Sequence, residues 1–342
     1  MGLTIRDIAK MAGVSPGTVS KVMNQTGSLS DETIKKVKQV IEETGYQPSF
    51  SAKSLATKKS NLIGLIYAGD IHAQINHPFF NEVVNVFKEV IGKLGYDILI
   101  FSNSQVNKEN EDYLARSRHY QLDGCLIIAG DKIEEATYEL DKSHIPCIGI
   151  DIELMGSSSS YVMTDNRKVS ARVVEYFHSQ GLKEVAFIGG PDGSTISNIR
   201  KDSFIHFMDV FNMTTSPHWM KHGDYFEESG YHAMRQILAE GPVPEAVYAA
   251  SDMMALGALK ALEEANISVP KDVKVIGCDD IEACRYSNPK LATVKQDKDK
   301  IGELAAKMLH RLIDGNKEVN SMLVEPELII RESAMFEQAP NV

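Results

Sequence analysis

Pro16, Gly17, Thr18 and Lys21 fall on the outward side of a short helix that the sequence starts at Ser15, and groups so placed can press against base-pair edges. Ser15 is suited to cap that helix. Pro16 falls at its first position, where the missing N–H costs nothing, and Val19, Val22 and Met23 give it a buried stripe. Enzymatic chemistry finds less support. Gly189-Gly190-Pro191-Asp192-Gly193 is glycine-rich but fits neither P-loop nor dinucleotide spacing, and no GxSxG or HExxH occurs. The four cysteines, Cys125, Cys147, Cys278 and Cys284, form no CxxC pair and no His/Cys ligand spacing, so buried reduced thiols are expected, with no metal and no cofactor.

The elements around the outward residues are legible in the same way. Thr4 is placed to cap a first helix whose apolar face is Ile5, Ile8 and Ala9 and which turns at Gly13. A third helix starts near Ser30 or Asp31, carries Ile34, Val37, Val40 and Ile41 at helical spacing, and stops at Gly45. Two helices across a glycine turn followed by a third read as a small helix-turn-helix bundle. Residues 47–60, after Tyr46-Gln47-Pro48, belong to no core and are too short for a stable helix of their own, so they are expected to be a hinge.

Charge supports a nucleic-acid partner only once it is divided. Residues 1–60 hold nine Lys and Arg against five Asp and Glu, so a net charge of −11 for the chain hides a basic N-terminal cap on an acidic body. Such a distribution orients the molecule toward phosphate.

From Leu62 onward, short apolar runs alternate with helical stretches. Strands are expected at 62–67, 97–101, 124–128, 147–150, 161–163, 185–188, 246–249 and 273–276, with helices at 80–94, 169–180, 229–238 and 254–265 among others. This order implies right-handed crossovers and parallel sheets, hence two Rossmann-like subdomains. Ligands in such folds bind beyond the carboxyl ends of the strands. The N-terminus has no charged leader followed by an apolar stretch, and no run approaches eighteen apolar residues, so a soluble cytoplasmic protein without membrane contact is expected.

The run Thr4-Ile5-Arg6-Asp7-Ile8-Ala9 through Gly13-Val14-Ser15 and Thr18-Val19-Ser20-Lys21-Val22-Met23-Asn24 resembles the headpiece of the lactose/galactose repressor (LacI/GalR) family. Further matches extend over nearly the whole chain: Gly45-Tyr46-Gln47-Pro48, Ala52 to Ala56, Asp123-Gly124, Asp165-Asn166, Gly189-Gly190-Pro191, Ser251 to Gly257, Gly277-Cys278-Asp279-Asp280 and Leu291 to Gln296. The resemblance implies a helix-turn-helix domain at 1–46, a hinge at 47–60 and a periplasmic-binding-protein-like core at 61–342. The core's N-subdomain would take about 61–164 and 294–323, and its C-subdomain about 165–293 and 324–336. It implies a repressor, not an enzyme or a transport module, that binds pseudo-palindromic double-stranded operator DNA as a homodimer under allosteric control by a small molecule, a sugar or sugar derivative. The tetramer-forming leucine heptad of the lactose repressor is not present at the end of this chain.

The DNA contacts carried over by resemblance are Thr4, Ser15, Pro16, Gly17, Thr18, Ser20, Lys21 and Asn24, with Ser51, Ala52, Leu55 and Ala56 from the hinge. Leu55 matches the family leucine that wedges into the minor groove. Lys21 stands where Arg is usual, and Pro16 and Gly17 bring no side-chain donors, so readout there is expected by shape and van der Waals contact. The effector contacts carried over are Asp151, Arg200, Tyr225, Ser251, Asp279 and Gln296, with His77, Phe79 and Phe80 at the lip. Carboxylates, a guanidinium and an aromatic ring are the set that a neutral sugar asks for. Asp252 is expected to be a helix N-cap. The loop Gly69 to Asn76 is longer than the family norm, and Ser251 stands where some sugar-binding members keep a larger polar group.

Overall fold

The computed structural model describes residues 3–24, 26–47, 59–69, 77–102, 112–130, 132–316 and 318–336. The chain divides into two units, Met1–Ser60 and Asn61–Val342.

The N-terminal unit contains α1 (Ile5–Ala12), α2 (Pro16–Met23) and α3 (Asp31–Thr44). Its helix boundaries follow from local chemistry. The Asp7 carboxylate reaches back to accept from the amide and hydroxyl of Thr4, at 2.8 and 2.7 Å. Gly13 ends α1 at a φ of 63°, a left-handed value that a side chain would strain. The Ser15 hydroxyl accepts from Thr18 N at 3.1 Å, so α2 opens at Pro16. Ser30 caps α3 in the same manner, and Gly45 closes it at a φ of 62°. The three helices bury one cluster, Ile8, Ala9, Ala12, Val19, Val22, Val37 and Tyr46.

The second unit holds two six-stranded sheets. In the first lobe the order is β11-β5-β4-β3-β1-β2, with β1 (Leu62–Ala68), β2 (Asp97–Ile100), β3 (Gly124–Ala129), β4 (Cys147–Ile150), β5 (Ser159–Thr164) and β11 (Met322–Val324), all parallel. In the second lobe the order is β12-β10-β9-β8-β6-β7, with β6 (Val185–Gly189), β7 (Met220–His222), β8 (Ala246–Ala249), β9 (Lys274–Asp279), β10 (Ala292–Lys295) and β12 (Glu327–Ile329). There β12 alone runs antiparallel, on β10.

Helices α4 (Pro78–Lys93), α5 (Tyr113–His119), α6 (Glu135–Asp141) and α11 (Lys298–Ile313) belong to the first lobe; α7 (Asn166–Ser179), α8 (Thr195–Val210), α9 (Glu227–Glu240) and α10 (Asp252–Glu264) belong to the second. Both lobes pack an apolar interior. Phe187 stacks on Phe204 at 5.0 Å beside Tyr248 in one, while Phe87, Ile91 and Leu309 are fully buried in the other.

Four strands are too short for the sequence pattern to mark: β7, β10, β11 and β12 are three or four residues long. They are recruited by pairing rather than by pattern. The strand read at 273–276 extends to Asp279, and the crossover expected near 294 comes after Lys295, since all of β10 lies in the second lobe's sheet. The chain passes between lobes at Asp165, between Lys295 and Lys298, and between Val324 and Glu327. Among the described residues no helix is long and apolar enough to cross a membrane.

Candidate functional site

In the N-terminal unit, Thr4, Ser15, Pro16, Gly17, Lys21 and Asn24 are exposed, and Thr18 and Ser20 half-buried. Their polar groups are satisfied locally: Ser15 and Thr18 hydroxyls lie 2.9 Å apart, and Asn24 Nδ2 donates to Ser20 Oγ at 3.3 Å. The α2 surface therefore offers a proline ring, a bare glycine backbone, small hydroxyls and one ammonium group. Ser51, Ala52, Leu55 and Ala56 lie outside the described residues.

Between the two lobes of the second unit lies a cavity of about 260 Å³, built where strands end. Asp151 follows β4, Ser194 and Thr195 follow β6, Tyr225 follows β7, Ala250 follows β8, Asp279 ends β9 and Gln296 follows β10. Peptide groups leaving a parallel sheet at this end hand their side chains to the space between the lobes. The sharp exits are visible in the backbone: Asp151, Tyr225 and Asp279 hold φ values of 57°, 72° and 128°, a region that side chains enter only when their surroundings force them to. Gly190 makes one of these positions possible, because any Cβ there would lie about 2.1 Å from the Tyr225 ring.

His77, Phe79 and Phe80, at the start of α4, form the first lobe's side of the cavity together with Asp151. His77 Nε2 lies 3.9 Å from Asp279 Oδ2 of the opposite lobe, beyond hydrogen-bonding reach, and its ring meets Phe226 edge-on at 5.6 Å. Burial pushes the His77 imidazole down to about 4, despite the nearby Asp252 charge, so it is neutral at physiological pH. Burial acts oppositely on the acids. It pushes Asp151 up to about 6 against the attraction of Arg200, and Asp279 up to about 6 against Arg200, Gln296 and Lys298.

Arg200, 3 % exposed, donates from Nε to Asn166 Oδ1 at 2.8 Å and from a terminal nitrogen to the Ala250 carbonyl at 2.7 Å. Gln296 Nε2 donates to Asp279 Oδ1 at 2.6 Å. Three oxygens on this surface, Asp151 Oδ1, Asp279 Oδ2 and Gln296 Oε1, are buried and accept no hydrogen bond from the described residues. Buried acceptors left this way are costly unless a donor arrives from elsewhere.

Ser251 corrects the sequence reading. Its hydroxyl caps α10, accepting from Met254 N at 3.1 Å, and donates its one hydrogen to the Tyr225 carbonyl at 2.9 Å, and Ser251 is not among the residues lining the cavity. Asp252 is thus not the N-cap. It is a fully buried carboxylate that accepts from Thr293 Oγ1 at 2.6 Å and Ile281 N at 3.0 Å, tying the end of β9 to β10. Among the described residues no group of three His, Cys, Asp or Glu converges as a metal site.

The profile of the bacterial regulatory proteins, lacI family, matches residues 4–49, and that of the periplasmic binding protein-like domain matches residues 174–334. The HTH-type transcriptional repressor PurR of Pasteurella multocida (strain Pm70) is 32 % identical over 333 residues, 96 % of this chain and 98 % of its own length. The chain belongs to the lacI family of bacterial regulatory proteins. PurR of Salmonella paratyphi B is 34 % identical over 334 residues, 96 % of each chain. Among solved structures, the lac repressor dimer bound to operator and the anti-inducer ONPF superposes with a TM-score of 0.83 at 25 % identity, covering 98 % of this chain and all of that one. The regulator CelR in its cellobiose complex gives 0.73 at 26 %, covering 97 % and 100 %.

The lacI-family chain is accordingly a DNA-binding transcriptional repressor and not an enzyme. Its helix-turn-helix domain and two parallel-sheet lobes are the lac repressor fold. Two residues that position the repressor's cleft were missed by sequence reasoning. Asn166, buried, holds Arg200 while its own Nδ2 donates to Thr164 O at 3.0 Å; its place in the Asp165-Asn166 motif was the available signal. Lys298 donates to the carbonyls of Asp279 and Asp280, at 2.9 and 2.7 Å, and pairs with Glu82 of α4 at 3.2 Å, so it bridges the lobes. Nothing local in the sequence marks a lysine for such a task.

Proposed function

We propose that this repressor binds operator DNA as a homodimer and that a small polyhydroxylated molecule, a sugar or sugar derivative, held between the lobes sets its operator affinity. The observation that carries this reading is the set of buried acceptors without donors among the described residues, Asp151 Oδ1, Asp279 Oδ2 and Gln296 Oε1, beside Arg200 and Tyr225. Hydroxyl groups supply the missing donors, Arg200 supplies a donor to a ring or hydroxyl oxygen, and the rings of Tyr225, Phe80 and Phe226 receive C–H faces. Since Asp151 and Asp279 stand on opposite lobes, a ligand bound by both favours one angle between them. It shifts the population of DNA-competent dimers to the extent of its differential affinity. The pseudo-palindromic operator follows from two reading helices related by a dimer axis, and Leu55 serves as the minor-groove wedge of the paired hinges.

The curated relatives carry the name PurR, and that name makes a purine-type heterocycle the second ligand class. The same rings would then stack on a planar base. One titration decides: operator fragments recovered from a random pool are bound by the full chain in the presence of a panel of sugars and purine bases. A change in operator affinity with a sugar, abolished by Asp279→Asn, is the expected result. A response to purines alone replaces the sugar by a heterocycle, and operator binding indifferent to every compound overturns allosteric control.

A further inference from the structure

The ionised groups around the cavity are unequal in number. Asp151, Asp279 and Glu153 line it, against Arg200 as the one lining cation among the described residues, with His77 neutral. The next charges outward largely cancel. Lys298 pairs with Glu82 at 3.2 Å, and Asp280 is held by Arg331 at 2.5 Å. Asp252, fully buried beside them, is itself pushed up to about 7 by burial and by the charge of Asp279, a sign of how poorly this region tolerates further negative charge. Two nitrogens of Arg200 are already committed to Asn166 and Ala250. What the cleft offers to a ligand is therefore acceptor-rich and negative, with carboxylates contributed by each lobe.

The cavity, about 260 Å³, lies below the usual range of small-molecule sites, roughly 300–1,000 Å³, which suits a single ring.

We infer that the cleft selects a one-ring ligand that is uncharged or cationic and rejects phosphorylated or carboxylated forms of the same ring. This rests on the proposed effector role of the cleft and narrows its ligand class. The physical cause is the pair of buried carboxylates, one from each lobe. Asp151 Oδ1 and Asp279 Oδ2 have no donor among the described residues, and a hydroxyl or an ammonium group brings one where a phosphate or carboxylate does not; like charges placed together in low dielectric also repel strongly. The raised proton affinities of Asp151 and Asp279 fit this, because each already feels burial and Asp151 also feels the other's charge. A ligand bringing donors or positive charge relieves that repulsion across the lobes; an anion compounds it.

The test uses the full chain and calorimetric titration with matched probes: D-glucose, D-galactose and D-ribose; D-glucosamine and D-galactosamine; the 6-phosphates of the two hexoses, ribose 5-phosphate and D-glucuronate; adenine and guanine. The expected result is that at least one neutral or amino compound binds and its anionic counterpart binds about 100-fold more weakly or not at all. In the double variant Asp151→Asn/Asp279→Asn that discrimination should shrink by at least about tenfold. Thermal melting of the variant shows whether it folds, and if it does not, the single variant Asp151→Asn carries the comparison. Binding of adenine or guanine with no sugar response overturns both the sugar reading and the one-ring limit. A phosphate or uronate that binds more tightly than its neutral parent overturns the charge rule while leaving an effector site in place. Absence of binding by every probe overturns both.

Discussion

The α2 surface proposed to read DNA and the cleft proposed to hold an effector use polar side chains in opposite ways. On α2 the polar groups are exposed and satisfy one another, as Ser15 does with Thr18 and Asn24 with Ser20, and the unit beneath buries a cluster of few residues. In the cleft the polar groups are buried, three oxygens have no donor among the described residues, and Asp151, Tyr225 and Asp279 hold left-handed backbone. A DNA backbone meets its protein in water, where affinity comes from charge and shape and little needs to be desolvated in advance. A small ligand has few atoms, so its recognition needs groups already dry and aimed. Substitution should therefore cost most in the cleft and least at the reading face.

The largest effect is expected of Arg200→Ala. Removing the guanidinium leaves Asn166 Oδ1 and the Ala250 carbonyl without their donor and takes the nearby positive charge from Asp151 and Asp279. A loss of about 3–5 kcal/mol in the stability of the core is expected, read by denaturant unfolding, together with loss of ligand response. Unfolding unchanged from wild type would show that the cleft tolerates an unmade network, and the contrast with the reading face would collapse.

Ile8→Ala tests the other side. Ile8 is fully buried in a cluster with little else to support it, so about 2–3 kcal/mol should be lost, enough to unfold the unit and remove operator binding. Ligand titration of the same variant should be unchanged. A ligand affinity that falls together with DNA binding would show that the two units are not separable in stability.

The comparison also shows where sequence reading succeeds. The headpiece was legible almost to the residue because caps and glycine stops are local signals: Ser15, Ser30, Gly13 and Gly45 each end or start a helix where expected. Eight strands of the core were legible because they are apolar runs in a parallel sheet. β7, β10, β11 and β12 were not, since their pairing is set by strands already in place. In the cleft, positions beyond strand ends could be found from the family resemblance, but not which hydroxyls were already occupied. Ser251 illustrates this: residue type and position suggested a ligand contact, while its hydroxyl caps α10 and gives its one hydrogen to the Tyr225 carbonyl. Lys298 is the converse, a cation whose value arises only when two lobes meet.

A smaller effect, confined to the core, follows from pH. The Asp151 carboxyl is raised from 3.8 to about 6, so the folded chain holds that proton more tightly than the unfolded one, and the group withdraws stability as pH rises from about 4 to about 6. His77 is lowered from 6.5 to about 4, so its contribution is whole above about 6.5 and is lost as pH falls toward 4. The two slopes oppose each other. Relative to wild type, Asp151→Asn should steepen the loss of core stability on acidification and His77→Gln should reduce it, each by roughly 1–3 kcal/mol between pH 6 and 4. Parallel curves for both variants and wild type would mean that neither group titrates as a buried one, removing the dry character on which the contrast rests.

The smallest effect belongs to the reading face. Ser15→Ala deletes the acceptor for Thr18 N at the start of α2, but that amide is exposed and water can replace the hydroxyl. About 1 kcal/mol of headpiece stability should be lost, visible as earlier melting of the helical signal. Operator affinity should fall little, since α2 keeps Pro16 at its first turn and Lys21 on its exposed face. A fall in affinity much larger than the loss of stability would mean that the Ser15 hydroxyl does more than cap. It would then be held by the DNA itself, and the reading face would depend on a specific polar contact as strictly as the cleft does.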